Sequence, residues 1–208
     1  MPIISSIKPQ KKRKNWVNIF IDNEFALSLP LDTFVREKLT VNLQVSKEKI
    51  ENLIKEGDFL SIYDKTLRYL SFRPRSTEEI KQYLNQQEAG KRTQSLIIEK
   101  LIDQKLIDDE TFARWWTDQR RKFRNQGEKL TRIELINKGI ERDLIDKIFA
   151  ENPVNEDVLI EELIRKKLPK LGRLPLPERK KKLYGFLLRR GYGWGEIRTI
   201  VDKMLKKK

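Results

Sequence analysis

The sequence predicts a mostly α-helical protein of three tandem three-helix repeats forming a curved array, preceded by a small α+β segment that contains a β-hairpin. Two observations predict this. A polar, basic helix ending in Leu recurs at Leu84, Leu135 and Leu187, 51 and 52 residues apart, each time followed by a short apolar helix. A period of that length marks stacked copies of one unit, each burying its apolar face against its neighbours. Strand-like alternation is confined to the first part of the chain, and beyond Gly57 the apolar residues recur at spacings of three and four.

The N-terminal segment, residues 1–58, opens on the strand-like residues from Ile3 to Lys8. Val17, Ile19 and Ile21 then alternate with Asn18 and Phe20, and Asp22-Asn23 interrupts before Phe25 and Leu27. Alternation broken by an Asx pair reads as a β-hairpin, and since two strands alone are marginal, the hairpin is expected either to pair with the first stretch or to pack on the following helices. Pro30-Leu31 opens a short helix, and Ser46 opens another that runs toward Gly57.

The first repeat, residues 59–107, has Tyr63, Leu67 and Leu70 on its first helix and Leu96, Ile97 and Leu101 on its third. Ser76 and Glu79 form a capping box for the second, each satisfying a backbone donor left free at the helix start. The second repeat, residues 108–152, begins at Asp108-Asp109-Glu110, where acidic side chains complement the helix dipole. Phe112, Trp115, Trp116 and Phe123 follow. Gly127 is expected to break that helix and Gly139 to cap the next, with Leu144, Ile145, Ile148 and Phe149 as the third stripe. The third repeat, residues 153–208, has a Pro- and Gly-rich connection at Pro169, Gly172, Pro175 and Pro177 between its first two helices.

Composition narrows the chemistry. Without Cys there is no disulfide and no thiolate nucleophile or ligand, and without His the usual general base near neutral pH is missing, which excludes most familiar hydrolase mechanisms. No Walker-type phosphate loop is present, and no cofactor is expected. Residues 1–14 are polar and basic and no run of 18 apolar residues occurs, so a soluble, cytoplasmic, monomeric protein with no membrane contact is expected. The net charge is +14, and residues 153–208 hold sixteen cations against seven anions, +9 of that total. A field of this kind favours a polyanion, either nucleic acid or an acidic protein groove.

Three phrases resemble the RecX family, regulators of the bacterial recombinase RecA. They are Arg73-Pro74-Arg75-Ser76 with Glu79 and Leu84; Leu106-Ile107-Asp108-Asp109-Glu110-Thr111-Phe112-Ala113; and Glu134-Leu135 with Lys138-Gly139-Ile140. Arg190-Gly191-Tyr192 adds a helix end recurrent in such proteins, and the match runs over about residues 62–204. The resemblance implies three three-helix modules, no catalytic site, and binding in the groove of the RecA filament on single-stranded DNA, limiting ATP hydrolysis, strand exchange and filament growth in DNA repair and recombination. After Gly127 the chain departs from the family pattern of Pro followed by Arg-Ile: it has Glu128, Leu130 and Thr131, with Arg132 supplying charge from a neighbouring turn.

The candidate contacts with RecA or DNA are the cations. Arg73 and Arg75 suit carboxylate or phosphate recognition, with helix capping and a local salt bridge to Glu78 or Glu79 as the competing role. Arg114, Arg120, Arg121, Lys122 and Arg124, with Lys129, Arg132 and Lys138, form the densest cluster, beyond what a helix dipole needs. Lys180, Lys181, Lys182, Arg189 and Arg190 are candidates for phosphate binding by counterion release. Trp115, Trp116 and Trp194 are candidates for stacking on bases, although adjacent Trp115 and Trp116 point about 100° apart on a helix, which places one of them in the core. Two alternatives remain: a general helical DNA-binding protein, and a nuclease using Asp108 and Asp109.

Overall fold

The computed structural model describes residues 1–206, which fall into two compact units. The first comprises Met1–Arg73 with Ile80–Leu106 and the second Pro74–Glu79 with the chain from Ile107 onward.

In the first unit three strands, β1 (Ile4–Pro9), β2 (Trp16–Ile21) and β3 (Glu24–Pro30), form an antiparallel sheet in the order β1-β2-β3. The β2–β3 link is Asp22-Asn23, with φ of 49° and 71°, a two-residue turn whose left-handed residues match the twist of the flanking strands. Pairing of Ile19 with Leu27 and of Val17 with Leu29 stacks four buried side chains on one face. Ile4, Leu39, Val45 and Leu53 complete this core. On the strands' polar positions the Gln10 amide and the Ser28 hydroxyl both donate to Asn18 Oδ1, 2.8 Å away.

A short helix, α1 (Leu31–Arg36), precedes α2 (Lys47–Leu70), which is capped by the Ser46 hydroxyl accepting from Lys49 N–H. Here the structure corrects the sequence reading: the helix does not stop near Gly57 but runs unbroken through it, 24 residues in all, joining the N-terminal segment to the first repeat. Gly57 serves close approach. A Cβ there would lie 2.4 Å from the Ser28 carbonyl oxygen, so the helix can cross β3 only where there is no side chain. Trp16 Nε1 donating to Asp64 (3.1 Å) and Arg13 to Ser61 (3.0 Å) tie the strand end to the same helix. The Tyr63 hydroxyl, one turn on from Phe59, bonds Gln104 just beyond α4 (Lys91–Asp103).

Between them lies α3 (Thr77–Gln86), whose start carries the expected capping box: Glu79 N–H donates to the Ser76 hydroxyl (3.2 Å) and Ser76 N–H to the Glu79 carboxylate (3.4 Å).

In the second unit α5 (Asp109–Gln119) passes into a π turn (Arg120–Arg124), followed by α6 (Glu128–Asn137) and α7 (Arg142–Glu151). The helix ends at Asn125, which adopts φ 44°; Gly127, expected to break it, instead starts α6. Then come α8 (Glu156–Lys167), a 3-10 turn (Leu168–Leu171), α9 (Leu176–Leu188) and α10 (Trp194–Lys206). Two cores result: Phe112, Trp116, Leu135, Ile145, Ile148 and Phe149 among α5–α7, and Ile160, Ile164, Leu183, Leu187, Ile197 and Val201 among α8–α10.

The recurrent Leu has one geometry throughout. Four residues after Leu84, Leu135 and Leu187 stand Glu88, Gly139 and Gly191, all left-handed (φ 57°, 77° and 85°), and the next N–H donates back to the Leu carbonyl at 3.2, 3.1 and 3.4 Å. This is the Schellman closure, which satisfies carbonyls left free at a helix end. In the second unit it also builds a joint. Gly127 N–H donates to the Arg190 carbonyl (2.8 Å), the Tyr192 hydroxyl donates to the Asn125 carbonyl (3.0 Å), and Glu128 N–H donates to the Glu156 carboxylate (2.6 Å). Burial pushes the Glu156 carboxyl above its ordinary range and, with Glu156 beside it, takes the Tyr192 phenol up to about 12.

Candidate functional site

The densest group of cations sits on α5, the π turn and α6, and the fold divides it in two. Five of its eight members are engaged inside the chain. Arg120 Nε donates to Glu134 at 2.5 Å, the same carboxylate that accepts Trp116 Nε1 at 2.8 Å, and the Arg120 guanidinium lies 3.9 Å from the Trp116 ring centroid. Lys138 Nζ, 4.3 Å from the same ring, pairs with Glu79 at 2.6 Å. Only 17% of the Arg120 side chain and 19% of the Lys138 side chain remain exposed. Arg114 bonds Glu110 (2.6 Å) and Glu151 (2.5 Å). Arg132 bonds Glu128 (2.7 Å) and Asp146 while covering Phe149, and Arg121 donates to the Asn152 carbonyl at 3.1 Å. These cations cement α5, α6 and α7 over two aromatic rings, where desolvation strengthens a charge's attraction to the π face.

The other three face water. Lys122 and Arg124 in the π turn and Lys129 in the first turn of α6 are exposed, and among the described residues no ion pair engages them. Phe123 between the first two is 68% exposed. Single-turn π segments recur at functional sites because they re-aim side chains off the regular helical ladder, and no sequence signal announces this one.

The remaining candidates are dispersed. Arg73 and Arg75 are half-buried in the loop leading to the capping box. In the third repeat Lys180 pairs with Asp202 (2.7 Å), Arg190 lies 3.9 Å from the Phe186 ring centroid, and Lys181, Lys182 and Arg189 are exposed. Of the tryptophans, Trp116 is core, Trp115 is half-buried against it, and Trp194 is 51% exposed and packed edge-on against Tyr184.

The acids at the start of α5 have local partners. Asp108 is the N-cap, and its bonds from the Thr111 hydroxyl and N–H hold its carboxyl below the ordinary range. Asp109 accepts Thr77 N–H at 2.8 Å, and Glu110 is held low by Arg114 and then Lys147. Among the described residues no group of three or more acidic side chains is arranged to hold a metal ion. Asp108→Ala is expected to lower stability by about 1 kcal/mol at pH 7. Because the folded pKa is lowered, that contribution exists above the ordinary carboxylate range and fades as pH falls through the folded value, so urea midpoints of variant and wild type converge once the pH lies below that folded value.

No helix among the described residues is long and apolar enough to cross a membrane. Four domain models of one family match in order: the regulatory protein RecX N-terminal domain over residues 2–46 and the first, second and third RecX three-helix domains over 63–103, 108–147 and 155–201. The regulatory protein RecX of Staphylococcus saprophyticus is 29% identical over 206 residues, covering 98% of this chain and 75% of that protein. That of Staphylococcus aureus is 27% identical over 207 residues with the same coverage. A crystal structure of regulatory protein RecX shares the fold with TM-score 0.66 at 24% identity, over 97% of this chain and all (100%) of that one. RecX from Lactobacillus salivarius aligns with TM-score 0.59 at 23% identity, over 70% of this chain and 96% of its own. From its N-terminal sheet to its third helical repeat, the chain belongs to the RecX family of regulatory proteins.

Proposed function

We infer that this protein is a non-enzymatic regulator of the RecA recombinase, binding the RecA filament on single-stranded DNA and inhibiting its ATPase, strand exchange and growth. Membership of a family of regulatory proteins across four matched domains carries the reading. The exposed cations Lys122, Arg124 and Lys129 support it, because a filament offers both acidic protein surface and DNA phosphate, and charge complementarity speeds encounter and fixes register. Inhibition follows if binding blocks the groove used by a second DNA or favours a filament state slower to hydrolyse ATP.

A second reading, direct binding to DNA, is favoured by the +9 net charge of residues 153–208. Co-sedimentation with RecA–DNA filaments and with bare single-stranded DNA over a salt series separates the two. Retention on filaments at salt that strips the protein from bare DNA is the expected result. Equal, steeply salt-dependent loss from both would favour the second reading.

A further inference from the structure

The junction between the first and second helix of a repeat twice carries an exposed Phe followed by Arg. Phe72-Arg73 follows α2 and Phe123-Arg124 closes the π turn after α5, 51 residues apart, the same interval that separates Leu84 from Leu135. Phe72 is 79% and Phe123 is 68% exposed. A single exposed apolar side chain needs no explanation, but recurrence at one place in successive repeats does.

Both rings stand on ordered backbone. Ser71 N–H donates to the Leu67 carbonyl and the Ser71 hydroxyl to the Arg68 carbonyl. Asn125 N–H and Gln126 N–H donate to the Arg121 and Arg120 carbonyls, while the Asn125 carbonyl accepts the Tyr192 hydroxyl. Backbone held this way loses little conformational freedom when the ring it carries is covered.

Charge selects what covers it. Lys122 and Arg124 flank Phe123, both exposed, and no acidic residue lies between Asp118 and Glu128. Arg68, Arg73 and Arg75 are near Phe72 in the sequence, with no acidic residue between Asp64 and Glu78. An exposed ring among cations is the chemistry that receives an unstacked base with its neighbouring phosphates; in a duplex the base faces are already taken. We propose that Phe72 and Phe123 are stacking platforms for single-stranded nucleic acid, one base at each of the first two repeats, with Lys122 and Arg124 holding flanking phosphates. At the corresponding place the third repeat has Pro175-Leu176, so it lacks the platform. The proposal rests on the reading of this protein as a ligand of the RecA–DNA filament and names the DNA-facing part of that surface.

The test is anisotropy of a labelled oligo-dT and of a duplex of equal length, titrated with the full chain. Phe72→Ala and Phe123→Ala are each expected to weaken oligo-dT binding by about 5- to 150-fold. Both should leave the duplex affinity and the salt slope unchanged, and Phe123→Trp should keep wild-type affinity. K122Q/R124Q should lower the salt slope on oligo-dT by about 1.4. Wild-type oligo-dT affinity in both alanine variants with unaltered circular dichroism, equal losses on duplex, or no oligo-dT binding by the wild type would each overturn the proposal. The RecA ATPase separates it from the reading it rests on. Inhibition lost in Phe123→Ala while oligo-dT binding is intact assigns the ring to protein, overturning the proposal and sparing the regulator. Alanine losses on oligo-dT with a wild type that never affects RecA keep the platforms and remove the regulator.

Discussion

Gly191→Ala is expected to destabilise the second unit by about 2–5 kcal/mol, the sum of a left-handed backbone forced on a residue with a Cβ and of overpacking in a filled joint. Gly191 has φ 85°, and a Cβ there would fall 2.2 Å from Leu130 Cβ and 2.9 Å from Leu130 N. Neither atom is the free end of a flexible side chain, so relief requires α6 to move away from the α9–α10 corner. That movement strains the Gly127 N–H bond to the Arg190 carbonyl and the Tyr192 bond to Asn125. Urea unfolding followed by circular dichroism should show a lower midpoint, and the Gly127 amide should exchange faster with solvent than in the wild type. Gly195→Ala is the control: nothing lies within 4 Å of its Cβ position, and it sits in α10, so alanine there should be neutral or stabilise by up to about 1 kcal/mol. An unchanged midpoint for Gly191→Ala would refute the joint as described.

Reversing Lys122, Arg124 and Lys129 to Glu is expected to weaken binding to the RecA–DNA filament by roughly 10- to 150-fold. Three exposed contacts at about 0.5–1 kcal/mol each give that range. The dependence of affinity on salt should flatten as well, since each lost phosphate contact removes about 0.7 from the slope. Arg120→Ala provides the contrast. Removing the Arg120 partner of Glu134 leaves a half-buried carboxylate with one donor fewer, so stability should fall by about 1–3 kcal/mol while the folded protein keeps its filament affinity. A triple variant with native circular dichroism and unchanged filament affinity would remove this surface from the binding site; an Arg120→Ala variant that folds normally but binds poorly would return Arg120 to it.

The elements that were readable in the sequence are those set by local chemistry. Ser76 with Glu79, the acidic helix start at Asp108, and the Gly139 cap all act within one or two helical turns, so local sequence exposes them. Gly57 was misleading because its role is tertiary: it is small to admit β3, and only the packed sheet shows that a helix passes through it unbroken. The binding surface was half readable for the same reason. Clustering located the cations, but not their partners: Arg114 and Arg132 pair with Glu110 and Glu128 one turn upstream. Glu134, Asp146, Glu151 and Glu79, supplied by other helices, decide which cations are already spent, and that division depends on how the helices pack. The π turn that presents Phe123 has no sequence signature, and Phe72 gains meaning only because Phe123 shares its exposure in the next repeat.

The most direct measurement of the regulatory role is the steady-state ATPase rate of RecA on single-stranded DNA, with DNA in excess, titrated with this protein at two salt concentrations. Loss of ATPase at amounts well below one molecule per RecA protomer, at both salts, is the expected result. Loss only when the protein is sufficient to coat the DNA, or no loss at all, would contradict a specific action on the filament.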